Sequence, residues 1–257
     1  MKRLFILLTP LMLAACGTLN TNKLLSAGVN LATSYSITDE QVAAMCAEYM
    51  TYQDSLSTIA AATSPYTIRL NKLVSGIKGT DNLKLNFKVY QNEEINAFAC
   101  GDGSIRVYSG LMDAMTDEEI FAVIGHEIGH LKHADTKNMM KQAYKTAAVK
   151  DAIGAINPTL EQLTNSQLAA IAVAYKDAQF SQAQEFAADQ ESFNVCIANN
   201  YSPYAMYNAL NKLVELAGGN SGSASKVAQM FSTHPDSATR AARMKQTADE
   251  YVAKNKQ

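Results

Sequence analysis

Histidine is rare in this sequence, and its copies are clustered. The chain has 257 residues and four histidines, of which His126, His130 and His133 fall within eight positions, while His234 lies far downstream. His126, Glu127 and His130 form the pattern H-E-x-x-H, and residues four apart share one helix face, so both imidazoles can reach one Zn²⁺ ion. Glu127 is rotated about a quarter turn away, where it can address a metal-bound water without binding the metal. The pattern predicts a hydrolytic zinc site with Glu127 as the catalytic base.

A catalytic zinc ion needs a third protein ligand. His133 shares a helix face with His126, but seven residues of straight helix place it about 10 Å away along the axis, too far for a shared coordination sphere. Glu118 and Glu119 precede the pattern and are better explained as favourable charges at a helix N-terminus. We therefore expect His133, Glu118 and Glu119 to remain outside the metal site.

Two carboxylates on a later helix are the remaining candidates. Glu185 and Asp189 are four residues apart, and Ala187 and Ala188 between them would let their helix approach the first one closely. Glu185 would be the oxygen ligand, and Asp189 would accept a hydrogen bond from the ring nitrogen of a ligand histidine that does not bind the metal. Two carboxylates at this spacing are usually a solvated helix face, so this interpretation depends on the upstream pattern.

Together these motifs resemble one peptidase family. The H-E-x-x-H segment, with Glu185 and the pattern E-x-x-x-D beginning 55 residues after His130, is similar to the gluzincin peptidases of the HtpX and CAAX-prenyl-protease family. The run Asn96-Ala97-Phe98-Ala99, which leads through a hairpin to Val107-Tyr108-Ser109-Gly110-Leu111, is also typical of that family. The resemblance covers about residues 38 to 250.

The resemblance implies both a fold and a ligand set. The fold class is α+β: a mainly helical, zincin-like metallopeptidase domain with a small antiparallel sheet and the H-E-x-x-H helix at its active site. One Zn²⁺ per chain would be bound by His126, His130 and Glu185, with Glu127 as the base. Lipid-anchored members are the most similar. Relatives with several membrane spans embed this domain in a bilayer, but no segment here is long enough, so prenylated substrates do not carry over.

Two further segments are expected to flank the metal. His234, in Thr233-His234-Pro235 with Arg240 six residues on, is similar to a family feature near the active site. It would either stabilise the tetrahedral oxyanion or bind the metal as a fourth ligand. The strand containing Asn96, Ala97, Phe98 and Ala99 would offer an edge for an extended substrate, a binding mode that favours unfolded segments.

The first residues have the pattern of a secretory signal. Lys2 and Arg3 precede an apolar run from Leu4 to Leu13, which is too short to span a bilayer as a stable helix. The sequence Leu13-Ala14-Ala15-Cys16 resembles the bacterial lipobox, in which the cysteine is acylated and becomes the mature N-terminus. Cys16 is therefore the predicted lipidation site, and its acyl chains would anchor the protein without a spanning helix.

These patterns divide the chain into three parts. We expect a lipoprotein signal peptide over residues 1–15, a lipidated N-terminus and tether over 16–37, and the zinc metallopeptidase domain over 38–257. In the tether, Leu24, Leu25, Val29 and Leu31 could also form a short amphipathic helix against the body. Gly17 is not the aspartate that commonly retains such lipoproteins at the inner membrane, so the predicted location is the periplasmic side of the outer membrane.

The three remaining cysteines would lie in an oxidising compartment. Their odd number permits one disulfide and one thiol. We favour a Cys46–Cys100 pair because Cys196 lies in an apolar helical stretch, where a buried thiol is the simpler interpretation.

Hydrophobic periodicity and capping patterns predict the order of the elements. A strand pattern at residues 83–89 and a hairpin around Gly101-Asp102-Gly103 precede an almost wholly helical second half. The predicted helices cover residues 39–61, a segment ending at Val74, 117–145, 182–198 and 236–253, with an apolar stretch at 168–175 and a flexible loop at 218–225.

Composition and motifs together favour proteolysis. With 22 basic and 24 acidic residues, the net charge is −2, so no basic surface is available for nucleic acid. The expected substrates are unfolded or misfolded envelope proteins, and outer-membrane assembly or quality-control proteins are further candidate partners. Two alternatives remain: a zinc-braced lipoprotein chaperone or assembly factor without proteolysis, and a zinc hydrolase of cell-wall peptides.

Overall fold

The computed structural model of the protein describes residues 21–156, 180–219 and 221–256. The signal peptide, Cys16 and the apolar stretch at 168–175 therefore lie outside the described residues. The described elements are α1 Thr21–Ser36, α2 Asp39–Leu56, α3 Pro65–Val74, β1 Asn86–Tyr90, β2 Ala97–Ala99, β3 Ser104–Tyr108, α4 Ser109–Ala114, α5 Asp117–Lys132, α6 Asp135–Ile156, α7 Gln182–Ala198, α8 Ala205–Ala217, α9 Ser221–Thr233 and α10 Ser237–Asn255.

The fold class is confirmed, with one correction to the sheet. The described part is mostly helical and carries a three-stranded sheet in the order β1-β3-β2. The hairpin pairs β2 with β3 antiparallel as expected, but β1 pairs parallel with β3, so the sheet is mixed and not wholly antiparallel. The reason is that the chain crosses from β1 to the far edge before it turns back into β3, which makes β1 and β3 non-consecutive neighbours.

Helix α5 forms the centre of the core. It begins with the expected capping box, in which Thr116 accepts from the Glu119 amide and the Glu119 side chain accepts from the Thr116 amide. Ile120, Ile124 and Ile128 follow at four-residue spacing and are fully buried. This helix therefore presents one apolar face to the core, while its two histidines are buried as well, beside α7 and α10.

The predicted continuous helix over 117–145 is wrong. Helix α5 ends at Lys132, and α6 begins at Asp135. Between them Ala134 has φ of 54°, in the left-handed region, and its amide bonds to the Leu131 carbonyl. This residue turns the chain at a point that has neither Gly nor Pro. Helical periodicity alone therefore did not predict the end of α5.

The segment expected to be a tether is a helix. Helix α1 covers Thr21–Ser36 and packs along α6. The amphipathic interpretation was correct in predicting a helix but wrong about its face: Leu24, Leu25, Val29 and Leu31 all point away from the body and are exposed. Within the described residues, no helix has both the length and the hydrophobicity needed to cross a membrane.

The predicted flexible loop at 218–225 is also wrong beyond its first residues. Helix α9 begins at Ser221, and its Val227 and Met230 are buried in the main core. Tertiary burial of this apolar face outweighs the weak helix propensity of the Ser- and Gly-rich segment.

Two expectations about the cysteines have different outcomes. Cys196 is a buried thiol, as expected, and burial raises its pKa to about 12. The expected Cys46–Cys100 disulfide is not formed in this structure, where both residues are thiols. Both are fully buried in the same apolar cluster between α2, the sheet and α6, so the pairing remains a prediction for the oxidised protein.

A buried ionic cluster, here called the Asp54 cluster, fastens α2 to the sheet. The Arg106 side chain on β3 is only 2% exposed and donates to Asp54 from Nε at 2.9 Å and from Nη2 at 3.1 Å. Lys88 Nζ and the Tyr90 hydroxyl donate to the same carboxylate at 2.7 and 2.6 Å. Although burial opposes it, these donors lower the pKa of Asp54 to about 2.

Candidate metal centre

Helices α5 and α7 touch through their backbones at the centre of the molecule. A Cβ atom on Gly129 would lie 2.7 Å from the Ala188 Cα, closer than real Cβ contacts allow. One on Gly125 would lie 3.1 Å from the Ser192 Cα, and the Ser192 hydroxyl donates to the Ala122 carbonyl at 2.6 Å. The expected close approach at Ala188 is therefore present, and it brings Glu185, one turn earlier on α7, opposite the two histidines of α5.

Four buried side chains converge there: His126, His130, Glu185 and His234. Their potential ligand atoms all lie within 4.8 Å of one another. His126 Nε2 is 3.0 Å from His130 Nε2, and the Glu185 oxygens lie 3.6 Å from the former and 3.5 Å from the latter. A tetrahedral zinc ion with bonds of about 2.1 Å separates its ligand atoms by about 3.4 Å. The three predicted ligands therefore fit around one ion.

The hydrogen bonds of the two imidazoles favour a cation between them. His126 Nδ1 lies 3.0 Å from Asp189 Oδ1, and His130 Nδ1 lies 2.8 Å from Asp135 Oδ2. A carboxylate accepts, so each Nδ1 carries the proton and each neutral ring presents a lone pair on Nε2. Two such lone pairs 3.0 Å apart would repel, so a cation lies between them: the second proton of His130 when no metal is bound, or a metal ion that displaces it.

Two buried carboxylate oxygens in the cluster also lack a hydrogen-bond partner among the described residues. They are Glu127 Oε1 and Glu185 Oε2. The second makes an ion-pair contact with Arg240 Nη1, but without hydrogen-bond geometry. Buried acceptors are rarely left unpaired, because desolvation costs them about 1–3 kcal/mol. Their orientation is explained if a metal ion and a water occupy the space that they face.

The cluster separates the proton affinities of its carboxyl groups. Burial raises the pKa of Glu127 above its ordinary range. Burial acts in the same direction on Glu185, but the imidazoles of His234, His130 and His126 outweigh it and hold the pKa of Glu185 well below its usual range. One carboxylate is thus kept anionic as a ligand, while the other is adjusted toward accepting and releasing a proton.

The histidines differ as well. Burial lowers the pKa of His126 to about 4, so this ring is neutral and ready to bind a metal. Burial also opposes charge on His130, but hydrogen bonds to Asp135 and Glu185 raise its pKa to about 9. A metal ion must therefore displace a proton from His130 when it binds.

Comparisons with known proteins agree with this geometry. The model of peptidase family M48 matches residues 69–248. The chain belongs to this family. It is 38% identical over 230 residues to metalloprotease LoiP of Escherichia coli K12, covering 89% of each chain. It is 34% identical over 224 residues to metalloprotease YcaL of the same organism, covering 87% of this chain and 86% of YcaL. The chain is therefore a metalloprotease hydrolase.

More distant M48 relatives match over shorter regions. The beta-barrel assembly-enhancing protease of Yersinia pestis is 28% identical over 173 residues, which cover 64% of this chain and 34% of that protein. Homologues of the protease HtpX match as well. The family resemblance predicted from the motifs is thus confirmed.

Arg240 contacts the two acidic residues of α7 at this M48 centre, Asp189 and Glu185. Its side chain is 2% exposed and donates to both oxygens of Asp189, from Nε at 2.8 Å and from Nη2 at 2.6 Å. Its hydrogen bonds, followed by the contact with His126, hold the pKa of Asp189 down against the effect of burial. Asp189 therefore stays anionic beside His126 Nδ1, at the position expected for it.

His234 enters the cluster from the short connection between α9 and α10. Its Nδ1 lies 3.0 Å from Glu185 Oε1 and 3.3 Å from His126 Nε2, while its Nε2 lies 3.7 Å from Glu127 Oε1. The structure thus brings His234 close enough to be either a fourth ligand or a hydrogen-bond donor in the reaction space. His133, by contrast, is an exposed residue at the end of α5, as expected.

Sequence reasoning missed the carboxylate that holds His130. Asp135 is 1% exposed, bonds to His130 Nδ1, and accepts from Gln184 Nε2 at 2.7 Å. Gln184 is in turn part of the capping box with Ser181, and Phe180 stacks on the His130 ring at 3.9 Å. On a continuous helix, a residue five positions after His130 would point about 140° away. The left-handed turn at Ala134 is what brings Asp135 back, and no local signal predicted that turn.

The expected substrate strand lies beside the base. Strand β2 is an edge of the sheet and contacts α5. The backbone of Ala99 interacts with the Glu127 carboxylate. Asn96 and Ala97 are buried, and Asn96 Oδ1 has no hydrogen-bond partner among the described residues. Strand β2 thus lies beside Glu127, and its role in substrate binding remains a prediction.

Proposed function

We propose that this M48 metalloprotease is a zinc-dependent endopeptidase, lipid-anchored at Cys16 to the periplasmic side of the bacterial outer membrane, that hydrolyses unfolded or misfolded envelope proteins. The observation that carries the proposal is the position of Glu127. Its unpaired oxygen lies next to three convergent ligand groups and is not itself one of them. A structural metal site would have no use for a base there.

The residues present fit zinc by donor type and spacing. Two imidazoles and one carboxylate, His126, His130 and Glu185, are the ligand set of many catalytic zinc sites. Zinc bound here would supply the Lewis acidity that activates water and polarises a peptide carbonyl. Asp189 and Asp135 keep the two imidazoles in the tautomer that binds through Nε2.

Glu127 carries out the proton transfers of the reaction. Its burial raises its pKa, so it accepts a proton from the attacking water and can release it to the leaving amine. The Ala99 contact holds this carboxylate in place between the strand and the cluster. The water oxygen forms the new C–O bond first; the C–N bond then breaks as Glu127 passes the proton that it took from the water to the leaving amine.

Strand β2 offers a binding edge for the substrate. Bonds to β3 involve the Asn96 carbonyl and the Cys100 amide, so the backbone groups of Ala97 face the opposite, outer edge. The Ala99 backbone on the same edge is already engaged with the Glu127 carboxylate. An extended peptide would add beside it by backbone hydrogen bonds, and only unfolded segments are extended over such a length.

The cellular part of the proposal rests on the N-terminal sequence and on the relatives. Cys16 follows the lipobox pattern, and the beta-barrel assembly-enhancing protease of Yersinia pestis bears a name that refers to the assembly of β-barrels. Misfolded outer-membrane or periplasmic proteins are the substrate class that this location supplies, and assembly proteins are the candidate partners.

His234 has one of two roles in this scheme. As a fourth ligand it would hold the enzyme idle, whereas as a hydrogen-bond donor it would stabilise the oxyanion. Replacing His234 by Ala raises turnover of an unfolded protein in the first case and lowers it in the second. Its half-buried neighbour Thr233 offers a control, because Thr233→Ala removes only hydroxyl bonds to two carbonyls of its own helix.

The test of the proposal is Glu127→Gln in the purified, zinc-loaded protein. We expect cleavage of unfolded casein to fall by about 10²–10⁴-fold while one zinc per chain and the melting temperature are retained, because general-base catalysis supplies an effect of this size. Glu118→Gln is the matched control: it makes the same change at an exposed position on the same helix. Unchanged cleavage by Glu127→Gln would refute the assignment, and client binding without cleavage by the wild type would support the chaperone alternative.

A further inference from the structure

Helix α1 exposes the residues that an amphipathic helix normally buries. Leu24, Leu25, Val29 and Leu31 are 56%, 69%, 57% and 47% exposed, and Tyr35 is 72% exposed. These positions fall on adjacent rows of one side of the helix. We refer to these five residues as the α1 apolar face.

The opposite side of α1, which packs on α6, is mainly polar. Ser34 is 1% exposed, and its hydroxyl donates to the Leu31 carbonyl at 2.7 Å. Lys23 and Asn30 are part-buried on this side, and both have interaction partners. Apolar area left in water carries a cost of about 25 cal/mol per Å², so a reversed helix of this kind indicates a second surface that covers the apolar face.

The position of α1 in the chain identifies that surface. Four residues lie between Cys16 and Thr21, so the five Cα–Cα steps span at most about 18 Å when fully extended. Helix α1 itself is 16 residues, or about 24 Å, long. If Cys16 is acylated, α1 therefore begins within reach of the lipid headgroups.

The charges next to the α1 apolar face fit anionic headgroups. The face itself contains no ionisable acid or base apart from the Tyr35 phenol, and α1 has no acidic residue. On α6, Lys145 Nζ lies 5.1 Å from the Tyr35 ring centroid at the end of the face. Lys137, two turns earlier on α6, is paired with Asp39 beyond the end of α1, so Lys145 is the cation shown next to the face. A lysine beside an apolar stripe is typical of helices that lie in a membrane interface.

We propose that the α1 apolar face lies in the surface of a phospholipid bilayer, where it forms a second membrane contact besides the acyl chains of Cys16. This inference rests on the proposed lipidation. It goes beyond anchoring, because a helix lying flat on the bilayer fixes how the protease body, through α6, faces the membrane. Acyl chains on a flexible tether would leave that orientation free.

The natural absence of tryptophan makes the inference directly measurable. Leu25→Trp in the full-length purified protein gives a single fluorophore on the α1 apolar face, and Ile68→Trp, at a position that is 58% exposed on α3, is the matched control. Both proteins are reconstituted into phosphatidylethanolamine–phosphatidylglycerol vesicles with and without brominated lipid. Brominated lipid should reduce Leu25→Trp emission about twofold, because an interfacial helix buries its apolar face about 5–10 Å deep. Ile68→Trp should be unaffected.

Two further readouts decide between the remaining outcomes. Adding Val29→Glu to Leu25→Trp should abolish the quenching while casein cleavage is unchanged. Equal quenching at both tryptophans, or no quenching at Leu25→Trp, overturns the proposal. A blue shift of the Leu25→Trp emission that depends on protein concentration, without quenching, also overturns it, because it shows a second copy of the chain on this face. The mass of the N-terminal peptide tests lipidation of Cys16 separately. Protein without acyl chains can be added to preformed vesicles, and its tryptophan quenching still reports whether α1 binds the bilayer.

Discussion

The metal cluster and the Asp54 cluster are both networks of buried charges, yet they differ in what they leave unsatisfied. Around Asp54, both carboxylate oxygens accept from Arg106, and Lys88 and Tyr90 complete the shell. Around His126, His130 and Glu185, by contrast, two imidazole nitrogens face each other at 3.0 Å, and two buried carboxylate oxygens have no hydrogen-bond partner among the described residues.

This difference separates a structural connection from a reactive site. In the Asp54 cluster both carboxylate oxygens are paired with donors from two cations and a hydroxyl, so the network holds α2 on the sheet without presenting an unpaired group to a ligand. In the metal cluster, one side of each imidazole is fixed by a carboxylate, and the other side is open toward a common point. Buried polar groups that are pre-oriented but unpaired therefore indicate a ligand, whereas burial of charge alone does not.

Apart from Glu127→Gln, Asp135→Asn should have the largest effect on zinc affinity or activity at the metal cluster. This change keeps the shape but weakens the acceptor that orients His130, so we expect a 10–100-fold loss of zinc affinity or activity. Zinc affinity is measured by competition with a chelator, together with the pH profile of cleavage. Asp39→Asn is the control. It removes a carboxylate that contacts Lys137 on α6, but Asp39 is far more exposed than Asp135. Equal zinc affinities for Asp135→Asn and the wild type would contradict the positioning role.

The Asp54 cluster should respond in the opposite manner. Asp54→Asn leaves the buried Arg106 without a counter-charge and should lower the free energy of unfolding by about 2 kcal/mol, with cleavage per folded molecule unchanged. Denaturant unfolding at several pH values measures this. Because the pKa of Asp54 is depressed to about 2, its contribution is complete above about pH 4 and is lost as the pH falls from about 4 towards 2. The variant should therefore lose less stability than the wild type over that window.

A neutral partner of the same cluster gives the smallest effect. Tyr90→Phe removes one buried hydroxyl donor to Asp54 and should cost about 1 kcal/mol in unfolding free energy. Tyr66→Phe is its exposed counterpart, since the Tyr66 hydroxyl donates to Asp113 at the surface, and should change stability by less than about 0.5 kcal/mol. If both variants lose the same stability, burial is not what strengthens the Asp54 cluster.

The same contrast explains which features could be predicted from the sequence. His126, Glu127 and His130 were predictable because helical spacing alone puts them on neighbouring faces, and Glu185 with Asp189 followed from a second helical repeat. Asp135 was not predictable, because its position depends on a left-handed turn at Ala134 that propensity does not encode. The apolar residues of α1 showed that a helix was present, but their direction is set by its packing on α6 and not by periodicity.

The central claim is that His126, His130 and Glu185 bind one metal ion while Glu127 stands beside it. Anomalous diffraction at the zinc absorption edge, from crystals of the zinc-loaded protein, tests this most directly. The account predicts one peak about 2.0–2.2 Å from His126 Nε2, His130 Nε2 and a Glu185 oxygen, with Glu127 outside the coordination sphere. A peak elsewhere, or a Glu185 carboxylate turned away from the ion towards Arg240, would contradict it.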